Sequence, residues 1–310
     1  MVLAHEKHFT RHASTCRCGR PVLVIRCRTM TAGPAIDQLE QFLTRQRQVL
    51  VLTGAGLSTA SGIPDYRDHD GVRRGRLPVQ GPEFRRHDAV RRRYWARSMV
   101  GWPTLAQAAP NAGHHALAAL QRSGHLGAVI TQNVDGLHQR AGSERLIELH
   151  GNIHRVICLD CGAVQPRAEL QAVLLRQNPA LAHTLARPLP DGDAQLEPDA
   201  LDDFQIPLCA HCGGTLQPDV VFFGDNVPPL RTAAALDLMA QADALLVVGS
   251  SLMVFSGYRF CKLAAEAGKP IAAVNVGKTR ADDLLALKIA APAQQVLPAL
   301  AACFGLAVAG

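Results

Sequence analysis

The chain has 310 residues, of which 48% are hydrophobic and 19% are charged. A chain of this length buries about 75% of the surface that its unfolded form exposes, so this composition excludes an intrinsically disordered protein and predicts two domains, or one large and one small. Residues 1–30 hold six Lys or Arg and one acidic residue, a net charge of +5 out of +6 for the whole chain. The other 280 residues therefore give no basis for a nucleic-acid-binding face.

The first 33 residues are predicted to be a basic, disordered N-terminal tail, because they show no sustained periodicity. Two alternatives are a transit peptide, since the segment is rich in Arg and poor in acids, and a metal clip made of Cys16, Cys18 and Cys27. No N-terminal segment combines an apolar run with a cleavage site, so secretion is not indicated and the cysteines are expected in a reducing compartment.

Helices and buried strands alternate along the rest of the chain. A helix that begins at Pro34 precedes the apolar run at 49–52, and a helix capped by Asn111 precedes a strand at 127–131. Helices near 230–240 and 258–267 precede strands at 244–248 and 271–274, and a buried strand and helix close the chain after Ile289. This alternation predicts an α/β fold with a Rossmann-like, doubly wound parallel sheet.

The alternation breaks between residues 151 and 216, where prolines and an acidic run are concentrated. Two pairs of the form Cys-x-x-Cys lie in this segment, and they can supply four thiolates to one tetrahedral, structural zinc ion. We therefore expect a discontinuous Rossmann-like domain, residues 34–150 and 217–310, and an inserted zinc-binding module, residues 151–216, with an acidic Pro-rich loop. The four ligands would be Cys158, Cys161, Cys209 and Cys212.

Small and polar residues follow three of the predicted strands. Gly54-Ala55-Gly56 allows backbone N–H groups to approach a phosphate at the N-terminus of a predicted helix, although a tight strand-to-helix turn without a ligand is equally compatible. Gln132-Asn133-Val134-Asp135 places amides and a carboxylate at a strand end, where such groups can hold sugar hydroxyls and a carboxamide; a helix cap is the alternative. His150 ends another apolar run and suits a general base, with a structural role as the alternative.

Together these motifs resemble those of the sirtuin family. In the expected order, and in register from ~34 to ~300, the chain contains GAGLSTASGIPDYR (54–67), TQNVDGLH (131–138), ELHGN (148–152), the two Cys pairs, PDVVFFGD (218–225), GSSL (249–252) and NVG (275–277). PDYR (64–67), YWAR (94–97) and PDGD (190–193) resemble class II sirtuins, a subfamily with mitochondrial and bacterial members of lipoamidase and ADP-ribosyltransferase type.

The resemblance implies an NAD-dependent protein-lysine deacylase of deacetylase type, which transfers the acyl group from lysine to ADP-ribose and releases nicotinamide. The alternative is a protein mono-ADP-ribosyltransferase that uses the same NAD site. NAD and one structural zinc are the implied cofactors, and acylated-lysine proteins or peptides are the implied substrates. We expect a monomer without a specific nucleic-acid or membrane partner. Arg outnumbers Lys 27 to 5, which favours a bacterial, cytoplasmic protein, or a mitochondrial-matrix one if the tail is a transit peptide.

The resemblance also assigns residues, one position at a time. His150 matches the general base, and Asn133 is a second catalytic residue. The implied cofactor-binding set is Gly54, Ala55, Gly56, Ser58, Ile63, Pro64, Asp65, Tyr66, Arg67, Gln132, Asn133, Asp135, Gly249, Ser250, Ser251, Asn275, Val276, Gly277 and Ala293. The implied peptide-binding set, on which a substrate adds as a strand, is Val220, Val221, Phe222, Phe223, Gly224 and Val254. Ser256-Gly257 depart from the usual sirtuin pattern, in which a proline and an alanine are common.

Overall fold

The computed structural model describes residues 33–74, 78–184, 201 and 203–308, together with an antiparallel pair of short strands, β1 (Ser14–Thr15) and β2 (Pro21–Val22). The rest of the predicted tail, with its alternative metal clip, lies outside the described residues, and so does the acidic loop at 185–200 and 202. Among the described residues, no helix combines the length and the apolar character needed to cross a membrane.

The larger sheet is parallel throughout. The remaining strands are β3 (Val49–Thr53), β4 (Ala128–Thr131), β5 (Leu146–Glu148), β6 (Gly151–Cys158), β7 (Val164–Pro166), β8 (Leu216–Val220), β9 (Ala244–Val248), β10 (Ile271–Val274) and β11 (Leu287–Ile289). Within the part of the chain that the structure describes, six of them form the larger sheet in the order β11-β10-β9-β3-β4-β5.

Helices cover both faces of this sheet. The described part of the chain forms α1 (Pro34–Thr44), α2 (Gly81–Arg86), α3 (Asp88–Gln107), α4 (Ala112–Arg122), α5 (Leu137–Arg140), α6 (Arg167–Gln177), α7 (Pro229–Gln241), α8 (Phe255–Glu266) and α9 (Ala293–Cys303). Of these, α1, α4, α7, α8 and α9 pack on the larger sheet. Val49 and Val51 of β3 pack against α1, α4 and α9, whereas Leu50 and Leu52 face α7 and α8. Burial on both faces explains the continuous apolar runs of the strands and confirms the predicted doubly wound α/β fold.

The predicted elements are present, but several boundaries differ. The strand predicted after Ile289 is β11, which ends at that residue, and only a helix follows it. Asn111 caps α4, since its side chain accepts a hydrogen bond from the N–H of Gly113 at 2.9 Å. The glycine turn after β3, however, leads into two single turns of 3₁₀-helix and not into a regular helix, because Gly62 adopts a φ of +83° and ends the segment. Helix α8 begins at Phe255, three residues earlier than predicted.

The second, smaller sheet is antiparallel, with the strand order β7-β6-β8. Its buried side chains pack against α2, α3 and α6; Val156 of β6 and Leu174 of α6 share one hydrophobic cluster with Trp95 and Met99 of α3. The segment predicted to be an inserted module therefore builds its core jointly with helices that precede it in the chain.

Two buried histidines lie side by side beneath the larger sheet. The rings of His114 on α4 and His138 on α5 are 5.1 Å apart, and His138 Nε2 lies 2.9 Å from the hydroxyl of Thr53. Burial lowers the pKa of His138 to about 4. Burial, and then the neighbouring His138, lower the pKa of His114 to about 2. Both rings are therefore neutral in the folded protein at neutral pH.

We expect the free energy of unfolding to fall as the pH is lowered from 7 to 5, by up to about 2 kcal/mol for each ring. The unfolded chain protonates these histidines near pH 6.5 and the folded chain does not, so stability present above pH 6.5 is lost below it. Urea unfolding at pH 7, 6 and 5 measures this slope. His138→Gln should reduce it, whereas the exposed His183→Gln should not. Identical slopes in all three proteins would contradict the assignment.

Candidate functional site

A cavity of about 960 Å³ lies at the carboxyl ends of β3, β4, β9 and β10. Strand β4, which follows β3 in the chain, lies next to β3 on one edge, and β9 lies next to β3 on the other edge. The direction in which strands are added to the sheet therefore reverses between β3 and β9. Open α/β sheets bind ligands at such a switch point. The cavity is large enough for a ligand the size of a dinucleotide.

The turns that follow β3 and β9 touch each other backbone to backbone. The N–H of Gly56 donates to the carbonyl of Gly249 at 2.8 Å. Gly249 has a φ of +59°, and a Cβ atom there would lie 2.4 Å from the backbone nitrogen of Leu57. Only glycine combines a positive φ with the absence of a Cβ atom, so only glycine fits at position 249. This contact holds Ala55 and Ser250 in the cavity wall.

The polar residues after β4 converge on one hydroxyl. Ser58 donates to Asp135 Oδ2 at 2.7 Å and accepts from Asn133 Nδ2 at 3.1 Å. Asn133 Nδ2 also donates to the carbonyl of Gly54, and the N–H of Leu137 donates to Asp135 Oδ1. Burial raises the pKa of Asp135, and the bonds from Ser58 and Leu137 oppose this rise. The structure thus brings the predicted amide and carboxylate together at the cavity.

His150 is held at both ring nitrogens. Its Nδ1 lies 2.9 Å from the main-chain carbonyl of Gln132, and its Nε2 lies 2.7 Å from the hydroxyl of Ser256. Burial lowers the pKa of His150 to about 4; the Gln132 carbonyl opposes this shift and the charge of Arg231 adds to it. The ring is neutral at pH 7 and can accept a proton.

A loop from Asp65 to Arg74 forms another side of the cavity. Its ends are joined by an ion pair between these two residues at 3.1 Å, and its middle docks on the turn after β10, where the N–H of Lys278 donates to the carbonyl of His69 at 2.8 Å. Tyr66 and Arg67 line the cavity from this loop. The loop connects the turn after β3 to the turn after β10.

The sequence-predicted residues almost all meet at this one cavity. Within the described residues, its lining includes His150, the six predicted peptide-binding residues and every predicted cofactor-binding residue except Pro64, which is exposed. Ser256 and Arg259 line the same cavity but were not among the predicted site residues. They lie on the first turns of α8, directly after the predicted Val254, and their helical spacing was the available signal.

The four predicted zinc ligands form a separate cluster, and none of them lines the cavity. Their sulfur atoms all lie within 4.8 Å of one another. Cys158 and Cys212 are 3.6 Å apart, and Cys161 and Cys209 are 3.8 Å apart. Four thiolates at a Zn–S distance of about 2.3 Å have sulfur atoms about 3.8 Å apart. Four close cysteines with this spacing suit one structural zinc ion.

Comparisons with known proteins agree on one family. A family model described as "Sir2 family" matches residues 54–256. The chain is 52% identical over 275 residues to an "NAD-dependent protein deacetylase 3" of Pseudomonas syringae pv. tomato, which covers 88% of this chain and 98% of that protein. It is 53% identical over 265 residues to an "NAD-dependent protein deacetylase" of Xanthomonas campestris pv. campestris, covering 86% and 89%.

Solved structures give the same result. One described as "Structural Basis for the Mechanism and Regulation of Sir2 Enzymes" is 33% identical with a TM-score of 0.69, and covers 87% of this chain and 98% of that one. Another, "Sir2-p53 peptide-NAD+", is 30% identical with a TM-score of 0.68 and the same coverage. A third is described as "Sir2 bound to acetylated peptide", at 29% identity and a TM-score of 0.68, covering 88% and 99%.

We expect the purified protein to contain one zinc ion per chain, measured by atomic absorption. Cys161→Ser should lose the metal and unfold at a lower temperature, because three thiolates leave the coordination shell open. Cys303→Ser is the matched control, since Cys303 lies at the end of α9 and outside the cluster. Full zinc content in Cys161→Ser would contradict the assignment.

Proposed function

The chain belongs to the Sir2 family of NAD-dependent protein deacetylases, and from this we propose that its cavity brings NAD and an acylated lysine together. The reaction transfers the acyl group from lysine to ADP-ribose and releases nicotinamide. His150 supports this proposal most directly, because its neutral ring lies in the same cavity as the candidate cofactor-binding and peptide-binding residues. One cavity wall would hold NAD and the facing segment would hold the peptide.

The residues at the cavity suit NAD. We propose that the Gly54–Gly56 turn meets the pyrophosphate and that Ser250 and Asn275 lie on the adenosine side, because close-packed glycine turns leave backbone N–H groups accessible to phosphates. Asn133 and Asp135 would bind the carboxamide of nicotinamide, beside the buried Ile63. When bound, NAD supplies the ribose carbon from which nicotinamide leaves and the hydroxyl that takes the acyl group.

The chain's own residues would supply the proton transfer and exclude water. We propose His150 as the general base that takes a proton from a ribose hydroxyl, since its pKa of about 4 keeps it unprotonated at neutral pH. Tyr66, on the loop from Asp65 to Arg74, would cover the face of the ribose on which positive charge develops and keep water away from it.

The peptide would lie between two segments of the cavity wall. Val220–Gly224 follow β8, and the N–H of Val221 donates to the carbonyl of His150 at 2.8 Å. Val254, just before α8, is 38% exposed on the opposite segment. We propose that an extended acyl-lysine peptide pairs as a strand between these segments, which would carry the acyl group toward His150.

We also propose the domain division predicted from the sequence. The strands of the larger sheet come from residues 49–148 and 244–289, which supports residues 34–150 with 217–310 as one domain and 151–216 as the other. The smaller sheet comes from residues 151–220, so its strand β8 crosses the proposed boundary at residue 216. A monomeric, cytoplasmic enzyme without a specific nucleic-acid ligand remains our proposal. The relatives and solved structures described above give no support to the mono-ADP-ribosyltransferase alternative.

We expect wild-type protein to release nicotinamide from NAD, with equimolar O-acyl-ADP-ribose, when an acyl-lysine peptide is present. His150→Tyr should reduce steady-state turnover by about 10² to 10⁴, the usual contribution of a general base. A panel of acetyl, long-chain and carboxylated acyl peptides, followed by mass spectrometry, measures both products. The exposed His183→Tyr is the matched control. Nicotinamide release without any acyl peptide, with ADP-ribose on protein, would overturn the deacylase proposal.

The pH profile offers a second test of His150 as the base. Because its pKa is about 4, kcat/KM for deacylation should stay level as the pH falls from 8 to 5.5, and not decline with a midpoint near 6.5 as an ordinary histidine would. Arg231 lowers this pKa by its charge, so Arg231→Gln should move the acid limb to higher pH. A wild-type midpoint near 6.5 would contradict the assignment.

A further inference from the structure

The hydrogen bonds of His150 determine which nitrogen carries its proton. A main-chain carbonyl oxygen only accepts, so Nδ1, at 2.9 Å from the Gln132 carbonyl, carries the proton of the neutral ring. Nε2 then has a single lone pair, and the hydroxyl of Ser256, at 2.7 Å, must donate to it. Both nitrogens of the ring are engaged by the protein. Any hydroxyl in the cavity reaches Nε2 either through Ser256 or after Ser256 has moved away.

The surroundings hold Ser256 in place. Ser256 lies in the first turn of α8. The next residue, Gly257, packs so closely on the side chain of Gln132 that a Cβ atom at Gly257 would lie 2.3 Å from Gln132 Oε1. Gln132 is itself fixed, since its Nε2 donates to the hydroxyl of Ser250 at 2.8 Å. One residue, Gln132, therefore anchors the helix that carries Ser256 and orients the ring of His150.

A serine hydroxyl that donates to a base can accept a second hydrogen bond at the same time. Ser256 lines the cavity together with His150, so its oxygen is within reach of a bound ligand. Arg231 of α7 acts on His150 by its charge, and Arg259 of α8 lines the same cavity. A guanidinium group has no hydrogen-bond acceptor, so neither arginine can take up a proton from the substrate. Ser256 is the hydroxyl in contact with the base.

We propose that Ser256 relays the proton between the substrate hydroxyl and His150. The substrate O–H bond breaks and its proton goes to Ser256 Oγ, while the original Ser256 proton moves to His150 Nε2. The serine ends neutral, the ring becomes an imidazolium, and the substrate oxygen becomes the nucleophile for the acyl carbon. When the acyl–nitrogen bond of the substrate breaks, the imidazolium gives its proton through Ser256 to the leaving lysine amine, which restores the neutral ring. This inference rests on the proposed deacylase reaction and adds a catalytic residue to it.

Ser256→Ala tests the relay because only one of the two chemical steps needs the base. Expulsion of nicotinamide by the acyl oxygen requires no proton transfer to His150, whereas acyl transfer to the ribose hydroxyl does. We expect Ser256→Ala to slow single-turnover acyl transfer about tenfold or more, while isotopic exchange of nicotinamide into NAD and the KM for NAD change less than about twofold. Ser256→Thr, which keeps a hydroxyl, should restore acyl transfer, and His150→Ala should show the same split as Ser256→Ala.

The number of protons transferred in the transition state of acyl transfer gives a further measurement. Acyl transfer by wild type in H₂O–D₂O mixtures should depend on the deuterium fraction along a curve, because two protons move together; Ser256→Ala should give a straight line. Ser123→Ala, which deletes an exposed hydroxyl outside the cavity, should behave as wild type. A linear wild-type dependence would overturn the relay, and so would faster or unchanged acyl transfer in Ser256→Ala, since Ser256 would then only compete with substrate.

An observation on the protein without NAD separates failure of this inference from failure of the proposed function. In ¹⁵N NMR spectra of the histidine side chains, Ser256→Ala should shift the Nε2 resonance of His150 toward that of an imidazole nitrogen without a donor, and leave Nδ1 protonated. An unchanged Nε2 resonance would overturn the inference whatever the activity. Wild-type protein that releases no nicotinamide with any acyl peptide would overturn the proposed function. Acylated or ADP-ribosylated Ser256 in the intact mass would identify a nucleophile and overturn the relay.

Discussion

The backbone contact between the turns after β3 and β9 determines the geometry of the whole site. The N–H of Gly56 reaches the carbonyl of Gly249, and a Cβ atom on Gly54 would lie 2.7 Å from that of Ser250. A side chain at Gly54 or at Gly249 would push apart the ends of β3 and β9. Their spacing places Ser250 within hydrogen-bond reach of Gln132, and the main-chain carbonyl of Gln132 then fixes the ring of His150. The proposed base, His150, is therefore positioned through this series of contacts by two adjacent glycine turns.

Burial then sets the charges around the cavity. His150 is kept neutral mainly by loss of solvent, so the base need not release a proton before it accepts one. Burial also disfavours the charged form of Asp135 and raises its pKa, and the hydrogen bonds from Ser58 and Leu137 oppose this rise. The two hydrogen bonds satisfy a carboxyl group that is otherwise removed from water. The site thus combines an uncharged base with a buried acid.

Much of the fold follows from local sequence, whereas contacts between distant segments do not. The runs at 49–52 and 244–248 indicate strands buried on both faces, and the Asn111 cap indicates the start of α4, because each signal lies within a few residues. The 3₁₀ turns after β3 depend on how Gly62 ends that segment, and the core of the small sheet depends on α3. The bond between His150 and Ser256 joins residues 106 positions apart, a pairing that no periodicity encodes.

The small sheet affects the cavity without lining most of it. Strand β8 continues into the proposed peptide-binding segment, and the N–H of Val221 donates to the carbonyl of His150, so the position of β8 sets the distance between that segment and the proposed base. Arg155 of β6 ties this sheet to the larger one, since it donates to Glu148 and to Asp219 at 2.9 Å each. The cysteine cluster joins β6 and β8 at the ends that lie away from the cavity, because Cys158 ends β6 and Cys212 lies shortly before β8. A zinc ion in this cluster, although it takes no part in the proposed reaction, would therefore help to hold the proposed peptide-binding segment in position relative to His150.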